Sequence, residues 1–282
     1  MSKVIEYTGF QILQNLQSGP TSFRTLIGLY NAFKEIPASN LLLDLNHIEF
    51  IDANLCASLD AIFYLLNKEA GHTFYIDQNE IKGRFDIFFR NGFIKSNADE
   101  VGQINANSSA VRLTRFTADS DEKFYEFLVN TLFSNKAFRK MPQIKGDIIG
   151  HFCEIFSNIG LHARTTDPVF ACGQFYPKKK ILKFTLVDLG VGFYEPIREF
   201  LGNEIESPLD AVNWALEEGN TTKIDATGRS GLSRLKSYCE DRGHIFQIIT
   251  DGVCWTNGTG IFKNWEMEKF PGTTINLEFS CK

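Results

Sequence analysis

The chain has 282 residues, 43% hydrophobic and 22% charged, with 29 Lys and Arg against 34 Asp and Glu for a net charge of −5. This is an ordinary globular composition with apolar material for two cores. The mild acidity argues against a general nucleic-acid binder, which needs a phosphate-neutralising surface.

No apolar run approaches the length of a membrane span, and the first residues lack the apolar stretch of a signal peptide. The expected setting is therefore cytoplasmic. Cys56, Cys153, Cys172, Cys239, Cys254 and Cys281 are scattered, with no C-x-x-C pair, and read as buried thiols of a reducing compartment.

In chain order, residues 22–36 carry Phe23, Leu26, Ile27, Tyr30 and Phe33 at helical spacing, and Pro37 and Asn40 break that pattern. Residues 41–45 predict a short buried strand, 53–66 a helix, 73–76 a strand and 78–93 a closing helix. Strands alternating with helices predict an α/β layer over residues 1–100. Asn, Ser, Ala and Gly dominate residues 97–109, which marks a boundary, with 101–111 as the linker.

The second unit, 112–282, is expected to begin with helices over 120–134 and 146–162. Strands over 169–176 and 181–188 flank Pro177-Lys178-Lys179-Lys180, a hairpin turn whose lysines face solvent. Ser207-Pro208 opens a helix over 207–218 that Gly219 stops, and a helix over 231–242 ends at Gly243. Strands are expected over 245–250, 260–266 and 274–279. Helices on one face of a mostly antiparallel sheet make an α+β sandwich.

Within the helix around Phe152, the residues Ile148, Phe152, Ile155 and Ile159 share one face, which must be core. Glu154, Asn158 and His162 recur every four residues as a polar stripe beside it. Such a stripe suits a pocket wall; the plain alternative is a solvated helix side. A metal site from His151, Glu154 and His162 is a weaker reading, because the spacing matches no zinc-helix motif.

Downstream, Asp188-Leu189-Gly190-Val191-Gly192 places a carboxylate at a strand end before two alternate glycines. A carboxylate there can accept a hydrogen bond from an exocyclic amine, and the glycines allow close backbone approach to a ligand. Gly228-Arg229-Ser230-Gly231-Leu232 opens a helix whose amides could face phosphate, and Gly272-Thr273-Thr274 starts the last strand. Each of these alone also fits an ordinary turn.

Taken in order, E-x-x-x-N-x-x-x-H-A, D-x-G-x-G, G-x-x-G-L and G-T resemble the GHKL (Bergerat-type) ATP-binding fold, over roughly residues 112–280. The first box is most similar to the anti-sigma-factor kinase branch. The resemblance implies an α/β sandwich that binds ATP and magnesium. It implies Asn158 as the magnesium ligand, Glu154 as the catalytic residue that acts as general base or positions the attacking nucleophile, and His162 at the phosphate end. Asp188 would read adenine, with Thr273 near it. Gly190 and Gly192 would form the first glycine box, Gly228 and Gly231 the second, and residues 194–227 the lid over ATP. Ser233 stands where the second box usually has another glycine. No phosphoacceptor helix precedes the first box, so histidine autophosphorylation is not expected.

Residues 41–52, Leu41 through Asp52, resemble the central strand and loop of the STAS domain of anti-anti-sigma factors, over roughly 20–100. The plain alternative for Asp52 is a helix cap. Asn54 occupies the usual phosphoacceptor position and has no hydroxyl.

Two functions are expected from these resemblances. One is an ATPase or serine/threonine kinase in a partner-switch setting. The alternative is a nucleotide-gated protein-binding regulator with little or no turnover. A scaffold without nucleotide fits the intact Glu154, Asn158 and Asp188 least. A protein partner is expected, through the STAS-like unit or as phosphoryl acceptor; a homodimer is an alternative arrangement.

Overall fold

Strand-helix alternation in the first third folds into a three-stranded parallel sheet. The structure, a computed structural model, describes residues 6–81, 83–94, 109–132, 142–222, 231–261 and 269–281. Strand β1 (Thr8–Gln11) is followed by helix α1 (Pro20–Phe33), β2 (Asn40–Asp44), α2 (Cys56–Ala70) and β3 (Thr73–Ile76). The sheet order is β1-β2-β3, and both pairings are parallel. Parallel neighbours need crossovers, which α1 and α2 supply. A single 3-10 turn, Ala53–Leu55, leads into α2, and Gly71 at φ 73 stops it in the left-handed cap that glycine favours.

Two expectations are corrected here. Strand β1 carries too little alternation to stand out in the sequence. The expected closing helix over 78–93 is two short pieces, α3 (Gln78–Ile81) and α4 (Ile87–Arg90). Between them Gly83 takes φ 94, and Phe85 and Phe88 turn inward to full burial. Burial of these rings outweighs continuing one helix.

The second unit continues with β4 (Ala110–Phe116), α5 (Asp121–Phe127), α6 (Pro142–His162), β5 (Val169–Tyr176) and β6 (Ile181–Asp188). Then come α7 (Tyr194–Leu201), α8 (Pro208–Ala215), α9 (Gly231–Arg242), β7 (Ile245–Thr250), β8 (Val253–Thr256), β9 (Gly260–Ile261) and β10 (Thr273–Ser280). The strands make one antiparallel sheet in the order β4-β5-β6-β10-β7-β8-β9. The chain is thus a mixed α/β protein, with one parallel and one antiparallel sheet among the described residues.

The second unit opens with a strand, not helices, and β4 begins inside the expected 101–111 linker. The rest of that linker lies outside the described residues. The expected 120–134 helix is α5 followed by one wider π-helical stretch, Leu128–Leu132. The ends of the expected 120–134 and 260–266 elements lie outside the described residues. Strand β8 was not expected.

The large sheet is the middle layer. Along β6, Leu182, Phe184 and Leu186 face the helices, while Lys183, Thr185 and Val187 face the opposite way. On the helix side, Ile148, Phe152, Ile155 and Ile159 of α6 are buried as their spacing predicts. The Phe152 ring lies 4.5 Å from Phe184 and 5.7 Å from Phe279. Each such ring contributes about 1.5–3 kcal/mol relative to exposure. On the other side, α2 and the turn before it pack onto β5 and β6. Tyr64 and Lys68 of α2 reach Asp167, and Asp60 pairs with Arg115 of β4 at 2.6 Å.

All six cysteines are free; five are buried and Cys153 is half-buried. The lysines of the hairpin turn are exposed. Among the described residues no helix is long and apolar enough to cross a membrane.

Candidate functional site

A cavity of about 200 Å³ lies between α6, the end of β6 and the segment that follows it. The polar stripe of α6 forms one wall: Glu154, Asn158 and His162 all line it, beside Ile155 and Ile159 of the core face. Asp188 and Thr273 form the floor, and Gly192 and Gly231 lie at its edges. Pro196, Ile197, Trp214, Ala215 and Leu232 close it with apolar surface. A mostly apolar cleft with a few converging polar groups is the usual form of a small-molecule site.

Asp188 ends β6 directly across from Thr273 at the start of β10. Its carboxylate accepts from the Gly190 amide at 2.9 Å and from the Thr273 amide. The side chain is 4% exposed. Burial pushes its carboxyl up to about 7, against the two amides that favour the charged form. The Thr273 hydroxyl lies 3.0 Å from that of Thr250.

The glycines have spatial reasons. A side chain at Gly231 would run into the Glu154 carboxyl, so Gly231 lets α9 start against the polar stripe. A side chain at Gly190 would strike the Ala163 carbonyl, and the next amide, Val191, donates to that carbonyl at 3.0 Å. Gly190 therefore packs the loop onto the end of α6; it does not line the cavity. Gly228 lies outside the described residues. His162 Nε2 sits 3.4 Å from the Thr222 hydroxyl, where the segment after α8 comes back to α6.

His151 parts from the stripe. Its ring lies 4.8 Å from that of Tyr238, tilted at 52°, and lines a separate groove with Arg234 and Asp241. Glu154 and His162 are thus in one cavity and His151 in another place. Burial, then the Arg234 charge, holds the His151 imidazole below its ordinary value.

No family model, curated protein or solved structure matches this chain.

Sequence reading missed Asp251. It occupies the turn between β7 and β8 with φ 50, and accepts from the amides of Phe193 and Tyr194 at 2.7 and 2.9 Å. Lys269 pairs with it at 2.8 Å. Asp251 thereby fixes the entry to α7, the first helix over the cavity. The Asp251-Gly252 pair was the available signal, but it reads only as a hairpin turn. Trp214 was missed because one Trp in a helix looks like core. Helix α8, which carries it, opens with the expected Ser207 cap, here a full capping box with Asp210.

Asp52 is not the helix cap allowed for it. It makes no side-chain cap bond. Its carboxylate instead accepts from the Ser18 amide at 2.7 Å, the Tyr176 hydroxyl at 2.6 Å and Lys183 at 2.8 Å.

Proposed function

We propose that this chain is a magnesium-dependent ATP-binding protein of the GHKL type, acting as an ATPase or a serine/threonine kinase. The observation that carries this reading is the convergence on one cavity of Glu154, Asn158 and His162 from one helix with Asp188, Gly192, Gly231 and Thr273 from three other places in the chain.

Asp188 would accept the exocyclic amine of adenine, with Thr273 beside it and the apolar surfaces of Ile155, Ile197 and Trp214 enclosing the base. The phosphates would run along α6 toward His162. Asn158 presents a hard amide oxygen one helical turn from a carboxylate, a donor set that suits magnesium held mainly by phosphate and water. Bound magnesium would neutralise phosphate charge. Glu154 would accept the proton of water or of a partner's hydroxyl.

The first test is calorimetric titration with ATP and magnesium, followed by turnover of wild type and Glu154→Ala. Equal turnover by both removes Glu154 from the mechanism, and absence of binding removes the whole reading.

A second reading is a nucleotide-gated regulator of a protein partner. Its support is the STAS-like first unit, whose three-stranded parallel sheet and α2 fit that resemblance in outline, and in which Asn54 offers no hydroxyl for phosphoryl transfer. Partner capture with and without ATP separates the two readings.

A further inference from the structure

The polar groups at the start of α2 are spent inside the molecule, on the back of the strands that carry the cavity floor. Asn54 is fully buried. Its amide nitrogen lies 2.8 Å from the Thr185 hydroxyl of β6, 2.9 Å from the Asn276 side-chain oxygen of β10 and 2.9 Å from the Ser18 hydroxyl. Thr185 also donates to Asn276 at 2.8 Å, and the Asn276 amide donates to Gln247 of β7 at 2.7 Å. Beside this network, buried Asp52 holds Lys183 of β6 and Tyr176 of β5.

Thr185 and Asn276 face each other across β6 and β10, and Asp188 and Thr273 face each other three residues further along the same strand pair. At about 3.4 Å per residue the two pairs are about 10 Å apart. Alternation sends the first pair to the N-terminal unit and the second toward the cavity. Ile275, the immediate neighbour of Asn276, also lines the cavity. A buried polar network that is fully bonded fixes the relative position of its strands, and a partly bonded one does not.

We propose that Asn54 is a positioning residue for the nucleotide site. Through Thr185 and Asn276 it holds β6 and β10 in the register that presents Asp188 and Thr273 to the base. Docking of the N-terminal unit and nucleotide binding are therefore coupled. This rests on the ATP-site reading above. The same contacts bury the start of α2 against the sheet, so a phosphoryl acceptor would have to come from outside that surface.

Coupling is reciprocal in binding free energy. Two experiments use the full chain with magnesium and a non-hydrolysable ATP analogue. In the first, Asn54→Ala and the near-isosteric Thr185→Val weaken analogue binding about fivefold or more, the lower range of allosteric coupling. Asp60→Ala, which cuts an ion pair of the same interface at β4, changes it by less than about twofold.

In the second, unaltered protein is alkylated with and without analogue. Cys56 and Cys172 lie in the interface between the units, whereas Cys239 and Cys281 lie in the helix-side core. Saturation slows alkylation of the first pair more than of the second. Equal affinity in all variants, equal weakening in all three, or equal slowing at all four thiols overturns the coupling. Absence of analogue binding by wild type overturns the ATP reading as well, so the two failures are distinct.

Discussion

On one face of the seven-stranded sheet, Phe184, Leu186, Ile275 and Phe279 meet the apolar sides of α6 and α9, and polar groups gather where the cavity opens. On the other face, the turn before α2 brings Asp52 and Asn54 into a buried contact made of Lys183, Tyr176, Thr185 and Asn276. The first face obtains its stability mainly from nondirectional packing, with polar groups along the cavity wall. The second bonds its buried polar groups to one another, which fixes one relative arrangement of the two units. A buried charge pair is a poor source of net stability, yet breaking it is costly.

The largest expected effect lies on the cavity face. Glu154→Ala lowers turnover by about 10²–10⁴-fold, the usual contribution of a general base, while analogue affinity stays within a factor of about three. Steady-state turnover and calorimetry together check it, and a parallel loss in both would make Glu154 a binding residue. On the opposite face, Lys183→Met leaves Asp52 with only Ser18 and Tyr176 as partners. Urea unfolding should then read a loss of about 3 kcal/mol, since removing one member of a buried pair strands the other.

Asp188→Ala removes a charged acceptor and should weaken ATP binding by tenfold or more, about 1.5–3 kcal/mol for a hydrogen bond to a charged group. Unchanged affinity would move the base elsewhere. The pH dependence sharpens the same point. Folding raises the Asp188 carboxyl to about 7, so the folded apoprotein holds this proton more tightly than the unfolded chain does. That contribution is present below the ordinary carboxylate value, about 3.9, and is lost as pH rises to about 7. Apoprotein stability should fall across that window by more in wild type than in Asp188→Asn, by chemical unfolding at several pH values. ATP affinity should rise as pH passes upward through about 7, because the amine prefers a charged acceptor.

The smallest effect is local. Ser207→Ala removes the capping box of α8 and should cost about 1 kcal/mol, visible as a small shift in the unfolding midpoint.

Periodicity alone made much of this molecule legible. The core face of α6, the hairpin of β5 and β6, the strand at 73–76 and the start of α9 at Gly231 follow from spacing and punctuation, which are local properties of the chain. The stripe of Glu154, Asn158 and His162 was equally visible, since a helix places every fourth residue on one side.

What the sequence left open depended on contacts between distant residues. Asp52 reads as a helix cap until Tyr176 and Lys183, more than a hundred residues away, come within hydrogen-bond distance. Asp251 reads as a turn residue until the entry to α7 folds over it. Gly231 reads as a helix start until Glu154 fills the space its side chain would need. The sequence by itself determined which residues form elements and which faces are apolar, because those depend on neighbours three or four positions away. Only the tertiary structure decided that the stripe opens onto a cavity and not onto solvent, and that Asn54 lies against the back of that cavity's floor. Those outcomes depend on how β6 and β10 pair, and strand pairing is set by the whole chain.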